Sequence, residues 1–179
     1  MKTKLFIAID LQNDFIDGVL GTKEATLIVP NVTKFLSELN EDDLVIFTRD
    51  THINNESTLE NKLLPLHCLK DSEGWQIHKD IFNAKKGKKE IIDKPCFGSF
   101  DLINFIKTYL NNNHLKEDDI ELILFGICTD ICVISNALLL RSAFIDTNIT
   151  VLSSLCSATS LKNHQDSLNV MKMNLINIK

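Results

Sequence analysis

Five short apolar runs recur along the chain and predict buried β-strands. Most are rich in β-branched residues and lack the alternation of polar and apolar positions that a half-exposed strand shows. Strands without alternation are covered on both faces, which is typical of a parallel sheet between two layers of helices. The runs are Leu5–Ile9, Leu44–Phe47, Leu122–Phe125, Ile149–Leu152 and Leu175–Ile178.

Longer segments between these runs carry apolar residues at spacings of three and four, which predicts amphipathic helices. This spacing covers residues 29–39, 102–110 and 168–173, whereas residues 131–144 are apolar almost all round and predict a deeply buried helix. Strands that alternate with helices imply right-handed crossover connections. The predicted fold is therefore α/β, a three-layer, doubly wound and mostly parallel sheet with helices on both faces.

The length of 179 residues fits a single domain, 1–179, without linker or internal repeat. The one long irregular stretch covers residues 51–94, where we expect short helices and an edge strand near Glu90–Ile92. An irregular segment of this length inside a compact domain is usually functional. Its lysine cluster has no interleaved aromatic residues and predicts a solvated turn rather than a nucleic-acid patch. The cluster is Lys85, Lys86, Lys88 and Lys89.

Composition narrows the class of protein further. The net charge of −5 disfavours a nucleic-acid binder, and no apolar run approaches the ~20 residues of a membrane span. The apolar run Leu5–Ile9 is shorter than the ~7–15 residues of a signal-peptide core. Five cysteines without a C-x-x-C pair suggest no disulfide scaffold. We expect a cytoplasmic protein with a small-molecule partner and no nucleic-acid or membrane partner, and the sequence leaves open whether it forms a homo-oligomer.

Chemically active residues follow the predicted strands, at the edge of the sheet where α/β proteins bind ligands. Asp10 follows the first strand, Lys94 follows the edge strand, and Cys132 follows the strand at residues 122–125. Cys132 opens the buried helix, with Thr129 or Asp130 as its N-cap, so the helix terminus should acidify the thiol and offer N–H groups to an oxyanion. Asp10 would then serve as the base and Lys94 as its counter-ion.

Structural roles for the same residues remain open at this stage. The ordinary alternative for Cys132 is a small buried apolar side chain. For Asp10 it is a helix cap, and for Lys94 a surface lysine. A second cluster, Asp50, His52, Glu60 and His67, offers imidazole and carboxylate groups that suit zinc, iron or manganese, or else belongs to a polar loop. We expect the remaining histidines to be surface or helix residues. They are His78, His114 and His164.

Five motifs together resemble the isochorismatase-like cysteine hydrolase superfamily and, within it, the nicotinamidases (pyrazinamidases). They occur in that family's order along most of the chain, and the set is more specific than any one piece. The motifs are IDLQNDF at 9–15, TRDTH at 48–52, LPLHC at 64–68, DKPCFGSF at 93–100 and GICTDICV at 126–133.

The resemblance implies a catalytic triad of Asp10, Lys94 and Cys132, with Cys132 as the nucleophile. It also implies a cis peptide bond between Ile127 and Cys128, which would direct the N–H groups of Cys128 and Cys132 at the oxyanion. The implied reaction is hydrolysis of nicotinamide to nicotinate and ammonia through a thioester, a step of NAD salvage.

The resemblance further implies a divalent metal that binds the pyridine nitrogen of the substrate. Zn²⁺ is the first candidate, with Fe²⁺ or Mn²⁺ as alternatives. Asp50, His52 and His67 match the family ligands directly. A second histidine that many members carry is missing, and Glu60 resembles the glutamate that some members use instead, with Glu56 as a substitute. The aromatic positions that enclose the ring match Phe15 and Phe97, which as an alternative are plain core residues.

Two other functions stay open from the sequence. One is a different hydrolase on the same scaffold, acting on another small amide or on isochorismate. The other is a non-catalytic doubly wound module that binds a nucleotide or flavin. The turn after the first strand disfavours that module, because it contains Leu11, Gln12 and Asn13 where a phosphate-binding turn needs glycines.

Overall fold

The structure is a computed structural model that describes residues 2–54 and 58–179. Six parallel strands form one sheet in the order β3-β2-β1-β4-β5-β6, so the predicted α/β class is confirmed. Within the described ranges, no helix has both the length and the apolarity needed to cross a bilayer. The strands are β1 (Thr3–Ile9), β2 (Leu44–Asp50), β3 (Lys89–Lys94), β4 (Ile120–Ile127), β5 (Asn148–Ser157) and β6 (Asn177–Ile178).

Helices connect these strands and cover the sheet. A 3₁₀ turn at Glu117–Asp119 precedes β4, and a π-helical turn at Thr129–Val133 leads into the helix that follows it. This turn explains why the helix predicted at 131–144 begins as an α-helix only at Ile134. The α-helices are α1 (Asn13–Ile16), α2 (Lys23–Glu38), α3 (Leu59–Leu63), α4 (Lys79–Ala84), α5 (Phe100–Asn112), α6 (Ile134–Ala143) and α7 (Leu161–Met173).

The last predicted strand is shorter than its apolar run suggests. Leu175 has a left-handed backbone with φ of 61° and is largely exposed, because its N–H closes the turn after α7 on the Lys172 carbonyl. Only Asn177 and Ile178 pair with β5. The edge strand expected near Glu90–Ile92 is present as β3.

The strand order changes direction at the centre of the sheet, between β1 and β4. β1 pairs with β2 on one side and with β4 on the other, so the carboxyl ends of β1 and β4 lie together at the switch point where α/β proteins bind ligands. Gly126 has φ of +132°, and a Cβ there would overlap the Ile9 carbonyl. The absence of a side chain therefore lets the end of β4 lie close against the end of β1, directly before the turn that carries Cys128 and Cys132.

Candidate active site

Asp10, Lys94 and Cys132 meet in one buried group at the carboxyl ends of β1, β3 and β4. Lys94 Nζ lies 2.6 Å from Asp10 Oδ2 and 3.7 Å from Cys132 Sγ. The Asp10 and Lys94 side chains are fully buried, and Cys132 is 5% exposed. The structure thus brings together three residues that are up to 122 positions apart in sequence (132 − 10).

Two neighbours hold the charged pair in place. The Thr48 hydroxyl donates a 2.6 Å hydrogen bond to Asp10 Oδ1 and accepts one of 3.2 Å from the Asp10 N–H. Lys94 also donates to the Cys96 carbonyl at 2.9 Å. Thr48 is the first residue of the TRDTH motif at 48–52, but the sequence interpretation gave it no role in the site.

The electrostatics of the triad favour a neutral thiol beside a carboxylate. Burial raises the pKa of the Cys132 thiol well above its ordinary value, and the nearby Lys94 charge only partly opposes this. Burial also raises the pKa of Asp10, whereas Lys94 lowers it. For Lys94, burial works to lower the pKa, but the charges of Asp10, Cys132 and Asp50 together with the hydrogen bond to Asp10 outweigh it, and the pKa is raised. The thiol is therefore not acidified, contrary to the prediction from the helix terminus, because burial is the largest influence on its pKa.

The turn that carries the thiol begins at Cys128, which is the N-cap in place of the predicted Thr129 or Asp130. The Ile127–Cys128 peptide bond is cis. The Cys128 carbonyl accepts two hydrogen bonds across this turn, from the N–H of Ile131 at 3.1 Å and from that of Val133 at 3.0 Å. Thr129 instead forms a hydrogen bond of 2.9 Å with His164 Nδ1, and Asp130 accepts a bond from the Thr159 N–H at 3.1 Å.

The four predicted metal ligands form a second cluster next to the triad. One ligand atom of each residue lies within 4.8 Å of the others. Asp50 Oδ2 is 3.0 Å from His52 Nε2 and 3.3 Å from His67 Nε2, and Glu60 Oε1 is 3.5 Å from His67 Nε2. Asp50, His52 and His67 are buried and Glu60 is partly exposed. The alternative ligand Glu56 lies outside the described residues.

The donor set of this cluster fits a divalent cation. His67 Nδ1 is 2.8 Å from the Pro65 carbonyl, which only accepts, so Nδ1 carries a proton and Nε2 is the ring atom that faces the cluster and could bind a cation on losing its own proton. Burial opposes a charge on His67, but hydrogen bonds to Asp50 and Glu60 raise its pKa to about 10. Two carboxylates and two imidazoles around one point would together neutralise and coordinate a zinc-like ion.

The loop with His67 is fixed to the end of β1 by the polar residues of the first motif. Gln12 is fully buried, and its amide accepts from Asp50 N–H at 2.7 Å and donates to the Asp50 and Trp75 carbonyls. Asp14 accepts from the Cys68 N–H at 2.7 Å. These bonds place the ligand residues of β2 and of the following loop on the same side of the triad.

A mostly apolar pocket of about 210 Å³ opens onto the thiol. Both predicted aromatic residues line it, and the Phe15 ring centroid is 5.5 Å from that of His67. Phe97 is 39% exposed, so it is not a core residue, whereas Phe15 also packs against the core. The sequence interpretation missed five further lining residues, which come from separate loops and helices. They are Leu20, Thr22, Leu64, Ile131 and Thr159.

Outside this site, one sequence expectation needs correction. Lys85 is fully buried, and its ammonium group donates to the carbonyls of Asn40 and Lys86, so the lysine cluster is not simply a solvated turn. Carbonyl oxygens replace the water that a buried ammonium loses. Of the remaining histidines, His114 is exposed, His78 precedes α4 and His164 lies on α7.

Sequence comparison identifies the class to which this fold and site belong. A sequence model of the isochorismatase domain matches residues 4–178, so the chain belongs to the isochorismatase family of hydrolases. The resemblance found in the motifs is thereby confirmed. Among characterised relatives, the nicotinamidase of Saccharomyces cerevisiae is 25% identical over 172 residues, covering 75% of this chain and 80% of the relative. The nicotinamidase of Escherichia coli is 27% identical over 159 residues, covering 74% of each.

Solved structures with the same fold include several amide hydrolases. A nicotinamidase/pyrazinamidase from Bacillus subtilis superimposes with a TM-score of 0.83 at 23% identity, covering 99% of both chains. A pyrazinamidase of Pyrococcus horikoshii in complex with zinc gives 0.79 at 23% identity, covering 99% of this chain and 98% of the other. An N-carbamoylsarcosine amidase from Thermoplasma acidophilum gives 0.77 at 21% identity, covering 100% and 96%. At these identities the superpositions establish the fold alone.

Proposed function

We propose that the protein is a nicotinamidase that hydrolyses nicotinamide to nicotinate and ammonia, which would place it in NAD salvage. The observation that carries this proposal is the arrangement of the pocket. A space of about 210 Å³, lined by Phe15 and Phe97, has the Cys132 thiol on one side and the His67–Glu60 edge of the metal cluster on another. A flat aromatic amide fits between those features.

In the proposed first half-reaction, Cys132 Sγ attacks the amide carbonyl carbon while Asp10 takes the thiol proton. A base in direct reach matters here, because the raised pKa keeps the resting thiol neutral. The tetrahedral intermediate then collapses, the C–N bond breaks, and Asp10 returns the proton to the leaving nitrogen as ammonia. The acyl group remains on Cys132 as a thioester.

In the second half-reaction, Asp10 takes a proton from water, and the resulting hydroxide attacks the thioester. The C–S bond breaks, the proton held by Asp10 returns to sulfur, and the acid product loses its own proton to solvent as it leaves as nicotinate. The N–H groups of Cys128 and Cys132 are the proposed oxyanion donors, each of which typically contributes ~2.7–4 kcal/mol in such sites. Lys94, 2.6 Å from Asp10, offsets the negative charge that the carboxylate and sulfur carry during both steps.

Asp50, His52, Glu60 and His67 are the residues that would hold a divalent cation. When bound, such a cation supplies a Lewis acid for the lone pair of the pyridine nitrogen, which orients the ring. The zinc complex of the Pyrococcus horikoshii pyrazinamidase and the nitrogen–oxygen donor set both support zinc as the first candidate.

A second candidate is the hydrolysis of another small primary amide by the same triad. The similarity in fold to an N-carbamoylsarcosine amidase supports it, because that enzyme acts on a non-aromatic amide. The apolar, aromatic-lined pocket favours the ring substrate. A purely binding role is disfavoured, because a buried thiol beside a carboxylate and an ammonium group has no evident use in a binding module.

The test is ammonia release from nicotinamide, pyrazinamide and benzamide by purified protein, with and without a chelator. We expect turnover of the first two amides and at least tenfold slower turnover of benzamide, which lacks the ring nitrogen. Cys132→Ala should abolish release while the fold and the metal content stay unchanged. Cys156→Ala, which alters a buried cysteine outside the pocket, should remain active. Ammonia release by Cys132→Ala at the wild-type rate, or no release by the wild type, would contradict the proposal.

A further inference from the structure

Asn136 joins the turn that bears Cys132 to the loop that carries Phe97, one of the two aromatic residues lining the pocket. It lies on α6, one turn after Cys132, and is 1% exposed. Its Nδ2 donates to the Cys132 carbonyl at 2.8 Å and to the Phe97 carbonyl at 2.9 Å. Its Oδ1 accepts from the Ser99 N–H at 3.0 Å. One buried amide thus makes three hydrogen bonds. Two of them reach the loop at residues 97–99, which is 37 to 39 positions away in sequence, and the third reaches Cys132 one turn back.

Phe97 depends on its backbone for its position, because its side chain is 39% exposed and core packing restrains it little. The loop around it is held on one side by the bond from Lys94 Nζ to the Cys96 carbonyl. On the other side it is held by Asn136. Gly98 lies so close to α6 that a Cβ there would overlap the Leu139 side chain. The Phe97 backbone is therefore held at a set distance from α6, which directly follows the turn that bears Cys132.

We propose that Asn136 is a positioning residue that sets the width of the pocket between Phe97 and the Cys132 thiol, and thereby KM for the aromatic amide. This inference rests on the proposed function. Asn136 does not line the pocket, so it acts through Phe97 and Cys132 rather than by touching the substrate. Loss of its bond to the Phe97 carbonyl removes one of the contacts that hold the loop in place and frees the loop.

Two variants separate the bond of Asn136 to Cys132 from its bonds to the loop of Phe97. Asn136→Ala removes all three bonds. Asn136→Ser keeps a hydroxyl one turn after Cys132, and the neighbouring Ser135 shows that such a hydroxyl reaches the carbonyl four residues back, at 2.6 Å from Ile131 O. A serine is too short to reach the Phe97 carbonyl as well. We expect Asn136→Ser to raise KM for nicotinamide about fivefold or more with kcat within about twofold, and Asn136→Ala to raise KM and lower kcat.

Ser99→Ala is the matched control for a merely structural effect. It removes the Ser99 hydroxyl that caps α5 through Leu102 N–H at 3.0 Å, at the same junction, but leaves all three bonds of Asn136 available. Loss of such a cap lowers stability. We therefore expect a lower unfolding temperature with KM unchanged. Equal KM values for wild type and Asn136→Ser, or an equal rise in KM for Ser99→Ala, would overturn the proposal.

A second readout does not depend on the substrate. The rate at which iodoacetamide alkylates Cys132, followed by peptide mass spectrometry, reports access to the thiol through the pocket. We expect about threefold or faster alkylation in Asn136→Ala than in wild type or Ser99→Ala, because the freed loop uncovers the thiol. If the wild type releases no ammonia from nicotinamide, the proposed function fails and this rate alone decides the inference. A rate equal to that of Ser99→Ala would then rule it out.

Discussion

Lys94 Nζ lies 3.7 Å from Asp50 Oδ1, while the other oxygen of the same carboxylate faces His52 and His67. The triad and the metal cluster are therefore neighbours that share one charged contact. Burial works to raise the pKa of Asp50, but hydrogen bonds from the two histidines and the Lys94 charge outweigh it and lower the pKa. Lys94 thus compensates two buried carboxylates, Asp10 and Asp50, rather than one.

We predict that Lys94→Met both destabilises the fold and abolishes turnover. Methionine fills a similar volume but leaves two buried carboxylates without their cation, and removal of one partner of a buried ion pair typically costs about 3–5 kcal/mol. Urea unfolding and ammonia release measure the two effects. Lys85→Met is the control, because Lys85 is also shielded from solvent but donates to carbonyl oxygens away from the pocket. Its loss should lower stability and leave turnover intact; an active Lys94→Met would contradict the assignment of Lys94.

Metal content gives the second prediction. His67→Asn should lower the metal bound per chain at least tenfold, because it removes an imidazole whose Nε2 faces the other ligand residues Asp50 and Glu60. Elemental analysis of purified protein measures this directly, and added Zn²⁺ should raise the unfolding temperature of the wild type but not of the variant. His114→Asn, at an exposed histidine far from the cluster, should keep the full metal content. Equal metal content in both variants would remove His67 from the site.

The acid side of the pH profile gives the third prediction. Asp10 must be ionised to accept the thiol proton, and the Thr48 hydroxyl donates to that ionised form at 2.6 Å. Thr48→Val removes this bond, so the pKa of Asp10, which burial already raises, should rise further. The acid limb of kcat/KM should then move to higher pH, with the largest loss of rate on the acid side of the profile.

The control for this shift is Thr150→Val, which makes the same change at a buried strand position that bonds Glu121, away from the pocket. Its pH profile should match that of the wild type. An acid limb that stays in place in Thr48→Val would show that Asp10 is not the group whose ionisation limits the rate.

The fold was predictable because its signal is local and repeated. Each buried strand is a short apolar run, and each helix has its own periodicity, so the layers follow without any knowledge of contacts. The position of Asp10 and Lys94 at one edge follows from the same pattern, since parallel strands end on the same side. The run at Leu175–Ile178 is a strand only at Asn177–Ile178, because the turn after α7, which sequence periodicity does not encode, takes up its first residues.

The supporting residues of the site could not be predicted in this way. Thr48 and Asn136 act through hydrogen bonds to residues 38 and 39 positions away, which have no local pattern. Lys85 is buried only because carbonyl groups of another loop surround its ammonium group. The pKa of Cys132 depends on how deeply the finished fold covers the thiol, and the helix-terminus argument from sequence contains no measure of that depth.

The last prediction concerns Gly74, which lies against the carboxylate of Asp14. A Cβ at this position would overlap that carboxylate, which accepts from the Cys68 N–H next to His67. Gly74→Ala should therefore displace the His67 loop and lower both metal content and turnover by about tenfold, since small misplacements of this kind are costly in catalysis. Gly87→Ala is the control, because it strains a left-handed glycine against Glu41, away from the site. It should lower the unfolding temperature while metal content and turnover remain at wild-type values, and a Gly74→Ala enzyme with full metal and activity would show that Asp14 does not hold the ligand loop.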